Sequence, residues 1–181
     1  MKTKHFGIVP LFIALLFINF SVKAQSDLEI LGKVENTKLF TTAELVQMDR
    51  NLSNFAVLLR LSGLEKSLNY ANGHTLLVPT NEALNKMSID KFAELTNPKN
   101  KTKLMQFIKY HFIAKKVTKW EMKDNDIIDE AGTQKEIRLS NNGDIVYVGG
   151  AQIITPAIEA SNGLMYVVNN TVTPSSDIVL D

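Results

Sequence analysis

The stretch Gly73-His74-Thr75-Leu76-Leu77-Val78-Pro79-Thr80-Asn81-Glu82-Ala83-Leu84 decides the fold. His74 to Val78 is short and apolar and has the character of a buried strand. Pro79 lacks a backbone N–H, so it cannot extend a ladder. Thr80 and Asn81 carry side-chain oxygens that accept from the first free N–H groups of a helix, and a helix is expected from there through Met87. A strand that stops at a proline and passes at once into a capped helix is a junction between two layers.

Upstream of the junction the pattern is helical. Thr41-Thr42-Ala43-Glu44 fits a capping box, with Thr41 as N-cap and Glu44 reaching back. Ser53 or Asn54 caps a second helix whose apolar face is Phe55, Leu58, Leu59 and Leu61, and Gly63 ends it. Leu64 to Leu68 reads as a short apolar-faced turn. Downstream, Ser88 to Leu95 is another helix, and Asn97-Pro98 starts the next. In that helix Leu104, Phe107, Ile108 and His111 fall at i, i+3, i+4 and i+7, on one face. Thr118-Lys119-Trp120-Glu121 is a second capping box and predicts a brief helix ending near Lys123.

The period then changes to two. Glu136 to Ser140 alternates, Asn141-Asn142-Gly143-Asp144 turns, and Ile145 to Val148 pairs back. Gly149-Gly150 turns again, into a strand at Gln152 to Thr155. Asn162-Gly163 supplies the positive φ angles of a tight hairpin leading into Leu164 to Val172, and Pro174 ends the domain. Helices followed by a run of strands imply an α+β domain with mainly antiparallel pairing.

Composition narrows the function. The 181 residues include 20 Lys+Arg, 19 Asp+Glu, 3 His and no Cys. Disulfides, thiolate metal sites and Cys nucleophiles are excluded. A formal charge of +1 leaves no electrostatic footprint for nucleic acid. Met1 to Ala24 has the form of a secretory signal: Lys2 and Lys4, then 13 apolar residues from Phe6 to Ile18, then Val22-Lys23-Ala24 before the cut. That apolar run falls short of the roughly 20 residues that span a bilayer, so no membrane span is expected after cleavage. Loss of Lys2, Lys4 and Lys23 takes the positive charges from 20 to 17 against 19 negative, a net of −2. The organisation expected is a signal peptide at 1–24, a linker at 25–38, one domain at 39–175 and a tail at 176–181.

Three motifs in register carry a resemblance. Gly73 to Leu84 is similar to the first signature of the fasciclin-like adhesion domain family. Tyr110-His111 resembles its tyrosine–histidine motif, and Ile158 to Pro174 (IEASNGLMYVVNNTVTP) its second signature. The resemblance implies a two-sheet β wedge with helices packed on one side. It implies a secreted, periplasmic or cell-surface protein that is not an enzyme and binds a matrix, envelope or cell-surface protein or glycan. Carried over, it points to Tyr110 and His111 as interaction residues, with Phe107, Ile108, Phe112 and Ile113 around them. It makes Pro79, Thr80, Asn81, Glu82, Asn162, Gly163 and Tyr166 a mostly structural signature. Two positions depart from the family pattern: Ala157 stands where an acid is proposed to serve adhesion, and Tyr166 where a His is common.

The residues themselves give His111 two readings. It shares a helix face with Leu104, Phe107 and Ile108 and so turns inward to a hydrogen-bond partner, or it meets a partner protein directly. No G-x-S-x-G, phosphate loop or dinucleotide fingerprint is present. Once His5 leaves with the signal, only His74 and His111 remain. His74 reads as a surface or junction residue, no cofactor or metal is expected, and Asp124 to Glu130 reads as a solvated loop. Lys99, Lys101, Lys103, Lys109, Lys115, Lys116, Lys119 and Lys123 support a second reading, a periplasmic or extracellular binder of acidic glycans or small molecules.

Overall fold

The computed structural model describes residues 29–129 and 136–175. The signal segment and the tail lie outside the described residues. Helices come first: α1 (Thr42–Met48), α2 (Ser53–Ser62), α3 (Glu65–Tyr70), then β1 (His74–Pro79), α4 (Asn81–Asn85), α5 (Ile89–Thr96) and α6 (Lys101–Tyr110). Seven short strands follow: β2 (Phe112–Ile113), β3 (Ile127–Asp129), β4 (Glu136–Asn141), β5 (Val146–Val148), β6 (Ala151–Gln152), β7 (Ile158–Glu159) and β8 (Gly163–Val168).

The strands form two four-stranded sheets, in the orders β2-β1-β8-β7 and β3-β4-β5-β6. Five of the six strand pairs are antiparallel; the central pair β1–β8 is parallel, with His74 opposite Gly163 and Pro79 opposite Val168. Both members of that pair are buried along their whole length, as parallel strands covered on both faces must be. Side chains alternate across a strand, so β1 and β8 serve two cores. Leu76, Val78, Met165 and Val167 point to the helices, where Leu45, Phe55, Leu58 and Leu104 cover them. Leu77, Tyr166 and Val168 point to the second sheet and meet Ile137, Val146, Val148 and Met122. The fold is α+β, with helices on one side of a two-sheet wedge.

Local chemistry explains the elements. The Thr41 capping box closes, with Glu44 Oε2 2.7 Å from the Thr41 amide. Thr80 caps α4 by accepting from the Ala83 amide at 3.0 Å, and Gly63 ends α2 at φ +79°. Gly143 takes φ +98° at the tip of the β4–β5 turn, a conformation that disfavours any side chain.

Several sequence expectations need correction. Leu64 to Leu68 is not a bare turn but leads into α3. Neither Ser53 nor Asn54 caps α2 with its side chain; the Asn81 carboxamide does so from another element, accepting from the Asn54 amide at 2.9 Å. Thr118-Glu121 forms only half of its box, since the Glu121 amide goes to the Thr118 carbonyl at 3.0 Å rather than to the hydroxyl, and no helix follows. The carboxylate takes both the Thr118 amide and hydroxyl, at 2.8 and 2.7 Å, and Met122 is buried at once, so the chain must leave after one turn. Asp124 to Asp129 is not all loop, because Ile127–Asp129 pairs with β4. The strand expected at Gln152 to Thr155 shrinks to β6 and an Ile153–Val168 bridge. That at Leu164 to Val172 ends at Val168.

Candidate functional site

Tyr110 and His111 sit where α6 ends against β2. His111 is 0% exposed. The Val172 amide donates to its Nε2 at 3.1 Å, which makes Nε2 the acceptor and leaves the proton on Nδ1, 2.8 Å from the Phe107 carbonyl. Both ring nitrogens are therefore engaged, and the Phe107 and Phe55 rings pack at 4.6 and 5.4 Å. Burial pushes the imidazole down to a pKa of about 4, against the opposing pull of the Phe107 carbonyl. Phe107, Ile108, Tyr110 and Ile113 are buried and Phe112 is half-buried. These six residues are brought together, but toward the interior. Ile108 and Phe112 also line an apolar cavity of about 200 Å3 with Leu59, Leu64, Leu68 and Leu76.

The two signature turns hold the helices to the central strands. Asn81 Nδ2 donates to the Arg50 carbonyl at 2.8 Å and to Ser53 Oγ at 3.1 Å while its oxygen caps α2. Glu82 is exposed in the first turn of α4. Asn162 is buried; its oxygen accepts from the Thr42 amide at 3.0 Å, its Nδ2 donates to the Leu68 carbonyl at 2.9 Å, and its own carbonyl takes the Gly73 amide at 2.9 Å. The positive φ angles expected at Asn162-Gly163 are absent. Glycine is required there by crowding: a Cβ at Gly163 would lie 2.6 Å from the His74 carbonyl oxygen. Tyr166 is fully buried and donates its hydroxyl to the Val117 carbonyl at 3.3 Å; burial raises its pKa above the ordinary value.

His74 is not a surface residue: it is 1% exposed, with Nε2 2.8 Å from Thr42 Oγ1. Among the described residues Nδ1 has no partner in hydrogen-bonding geometry. Burial lowers its pKa, opposed by the Ala71 carbonyl and reinforced by Lys116. The hydroxyl–imidazole pair is closed to solvent, and among the described residues no carboxylate bonds the ring. Among the described residues no three His, Asp or Glu side chains gather as metal ligands, and no helix is long and apolar enough to cross a membrane. Lys103 pairs with Glu94, and Lys101 and Lys109 stand about 12 Å apart along α6 by helical rise.

In the sequence Trp120 stands out only as a residue of the brief helix expected after Thr118. It is 93% exposed, on the edge of a cleft of about 570 Å3 walled by Lys119, Asn141, Asp144, Pro156 and Tyr166. The signal available was a single tryptophan amid polar neighbours.

A model of the fasciclin domain matches residues 50–174. The chain belongs to the fasciclin domain family. Domains of this family are adhesion-related modules and generally not enzymes. Protein sll1483 of Synechocystis sp. is 22% identical over 145 residues, covering 80% of this chain and 79% of that one. Among solved structures, the FAS1 domain pair of the insect cell adhesion molecule Fasciclin I matches with a TM-score of 0.65 at 16% identity. That match covers 78% of this chain and 53% of the other, so the chain spans about half the length of that domain pair.

Proposed function

We propose that this fasciclin domain is an exported, non-enzymatic adhesion module that binds a matrix, envelope or cell-surface component with surface remote from Tyr110 and His111. One observation carries the reading: both nitrogens of the fully buried His111 are spent on Phe107 and Val172. The tyrosine–histidine pair then serves as a fastening, and binding falls to side chains that face solvent. The likeness to a cell adhesion molecule and the signal-like residues 1–24 support the same reading.

The test is fractionation of the full chain in its own cells, followed by crosslinking and pull-down. The expected result is a processed protein outside the cytoplasm, crosslinked to surface or envelope components. Retention in the cytoplasm, or recovery of nothing beyond what a misfolded variant recovers, would overturn the proposal.

A further inference from the structure

Trp120 is the single tryptophan of the chain and is 93% exposed. A lone exposed apolar side chain is ordinary, but this one stands on the rim of a cleft, where a bound ligand would cover it. The ring is not on a loose tip. Its turn is tied by the two Thr118–Glu121 hydrogen bonds, the Val117 amide donates to Thr75 Oγ1 at 2.9 Å, and Tyr166 donates to the Val117 carbonyl. The opposite wall is tied to the same turn: Asn141 donates to the Met122 carbonyl, and its oxygen holds the Gly143 amide at 2.8 Å. A preordered platform loses little entropy on binding.

The cleft beside it is about 570 Å3, within the roughly 300–1,000 Å3 of small-ligand sites. Its polar equipment is sparse. The Asn141 amide is spent internally, whereas the side chains of Lys119 and Asp144 make no hydrogen bond or ion pair with the described residues. These two charges are of opposite sign and cancel toward a ligand, so a strongly ionic ligand gains little. They do supply an ammonium donor and a carboxylate acceptor, the pair that hydroxyl groups satisfy.

We infer that the Trp120 cleft binds an uncharged saccharide, the C–H face of one pyranose ring lying on the indole and its hydroxyls meeting Asp144 and Lys119. The inference rests on the adhesion reading above and names the chemistry of the partner. A protein knob would bury the indole equally well, and the saccharide titrations and pull-downs below separate the two occupants.

Because Trp120 is alone, its emission reports on the cleft. The full chain is titrated with chitotriose, cellotriose and mannotriose, and with a heparin hexasaccharide as the anionic probe. A saturable blue shift with at least one neutral trisaccharide is expected at a Kd of about 1 mM or below. By calorimetry, Trp120→Ala should weaken that binding by about tenfold or more while melting like the wild type, and Asp144→Ala should weaken it less. No shift with any neutral trisaccharide up to about 10 mM, a shift with the heparin fragment alone, or unchanged affinity in Trp120→Ala overturns the inference. If pull-downs recover a protein partner equally with Trp120→Ala, the cleft assignment falls and the adhesion reading stands. If pull-downs recover nothing while the titration succeeds, the adhesion reading falls instead.

Discussion

His111 shows how a side chain that looks like a contact residue can be a fastening. Its helix-face spacing told that it points inward, and that much was legible from Leu104, Phe107 and Ile108. Its partner was not, because Val172 lies 61 residues away and only the closed fold brings its amide to Nε2. Replacing His111 by Ala leaves that buried amide without an acceptor, so stability should fall by about 1–3 kcal/mol, measured by urea unfolding. Unchanged melting with lost adhesion would speak for direct contact instead. The same residue sets a pH dependence. Its folded pKa is about 4 against 6.5 in the unfolded chain, so between these values the unfolded state binds a proton that the native state refuses. The stabilisation is complete above pH 6.5 and drains as pH falls toward 4, on the order of 3 kcal/mol in all. His74 is shifted the same way. In His111→Gln the slope of stability against pH in that window should be shallower than in the wild type; an identical slope would remove His111 as its source.

At the scale of elements, the chain's own chemistry marks starts and stops well and destinations poorly. The Pro79-Thr80-Asn81 joint was readable because a missing donor and a capping hydroxyl act locally. That Asn81 caps α2 rather than its own helix could not be read, since the Asn54 amide it serves is 27 residues away. Thr118-Glu121 is the converse case. Only the carboxylate half of its capping box forms, and burial of Met122 and Val117 against the second sheet outweighs the gain of extending one turn. Asn162-Gly163 was read as a turn needing positive φ, whereas its sequence reports a clip and a close approach. Two variants separate those roles. Asn162→Ala orphans the buried Thr42 amide, while the Leu68 carbonyl keeps the Ala71 amide at 3.2 Å, and should cost about 1–3 kcal/mol. Gly163→Ala drives a methyl against the His74 backbone and should cost about 1–3 kcal/mol, by thermal or chemical unfolding. A neutral Gly163→Ala would mean that the two central strands can separate without loss.

For the whole molecule, the central pair β1–β8 is a wall common to two cores, and this has a mechanical consequence. The class α+β and the two-sheet wedge were legible from helices preceding strands and from the three resembling motifs. The parallel central pair was not, because pairing partners 89 residues apart, His74 and Gly163, leave no mark in local sequence. Leu77 projects toward the second sheet and Leu76 toward the helices from adjacent positions of one strand. If the wall moves as one body, emptying one face must weaken both. Leu77→Ala leaves a void among Tyr166, Val148 and Ile137 and should cost about 2–5 kcal/mol. Native-state hydrogen exchange then reads where the loss is felt. The amides of Leu58 in α2 and of Val148 in β5 should lose protection by the same amount, since both then open only with the global unfolding of the wall. Should Val148 lose protection while Leu58 keeps it, the helical layer and the second sheet are separate cooperative units, and the shared wall is only a contact surface between them.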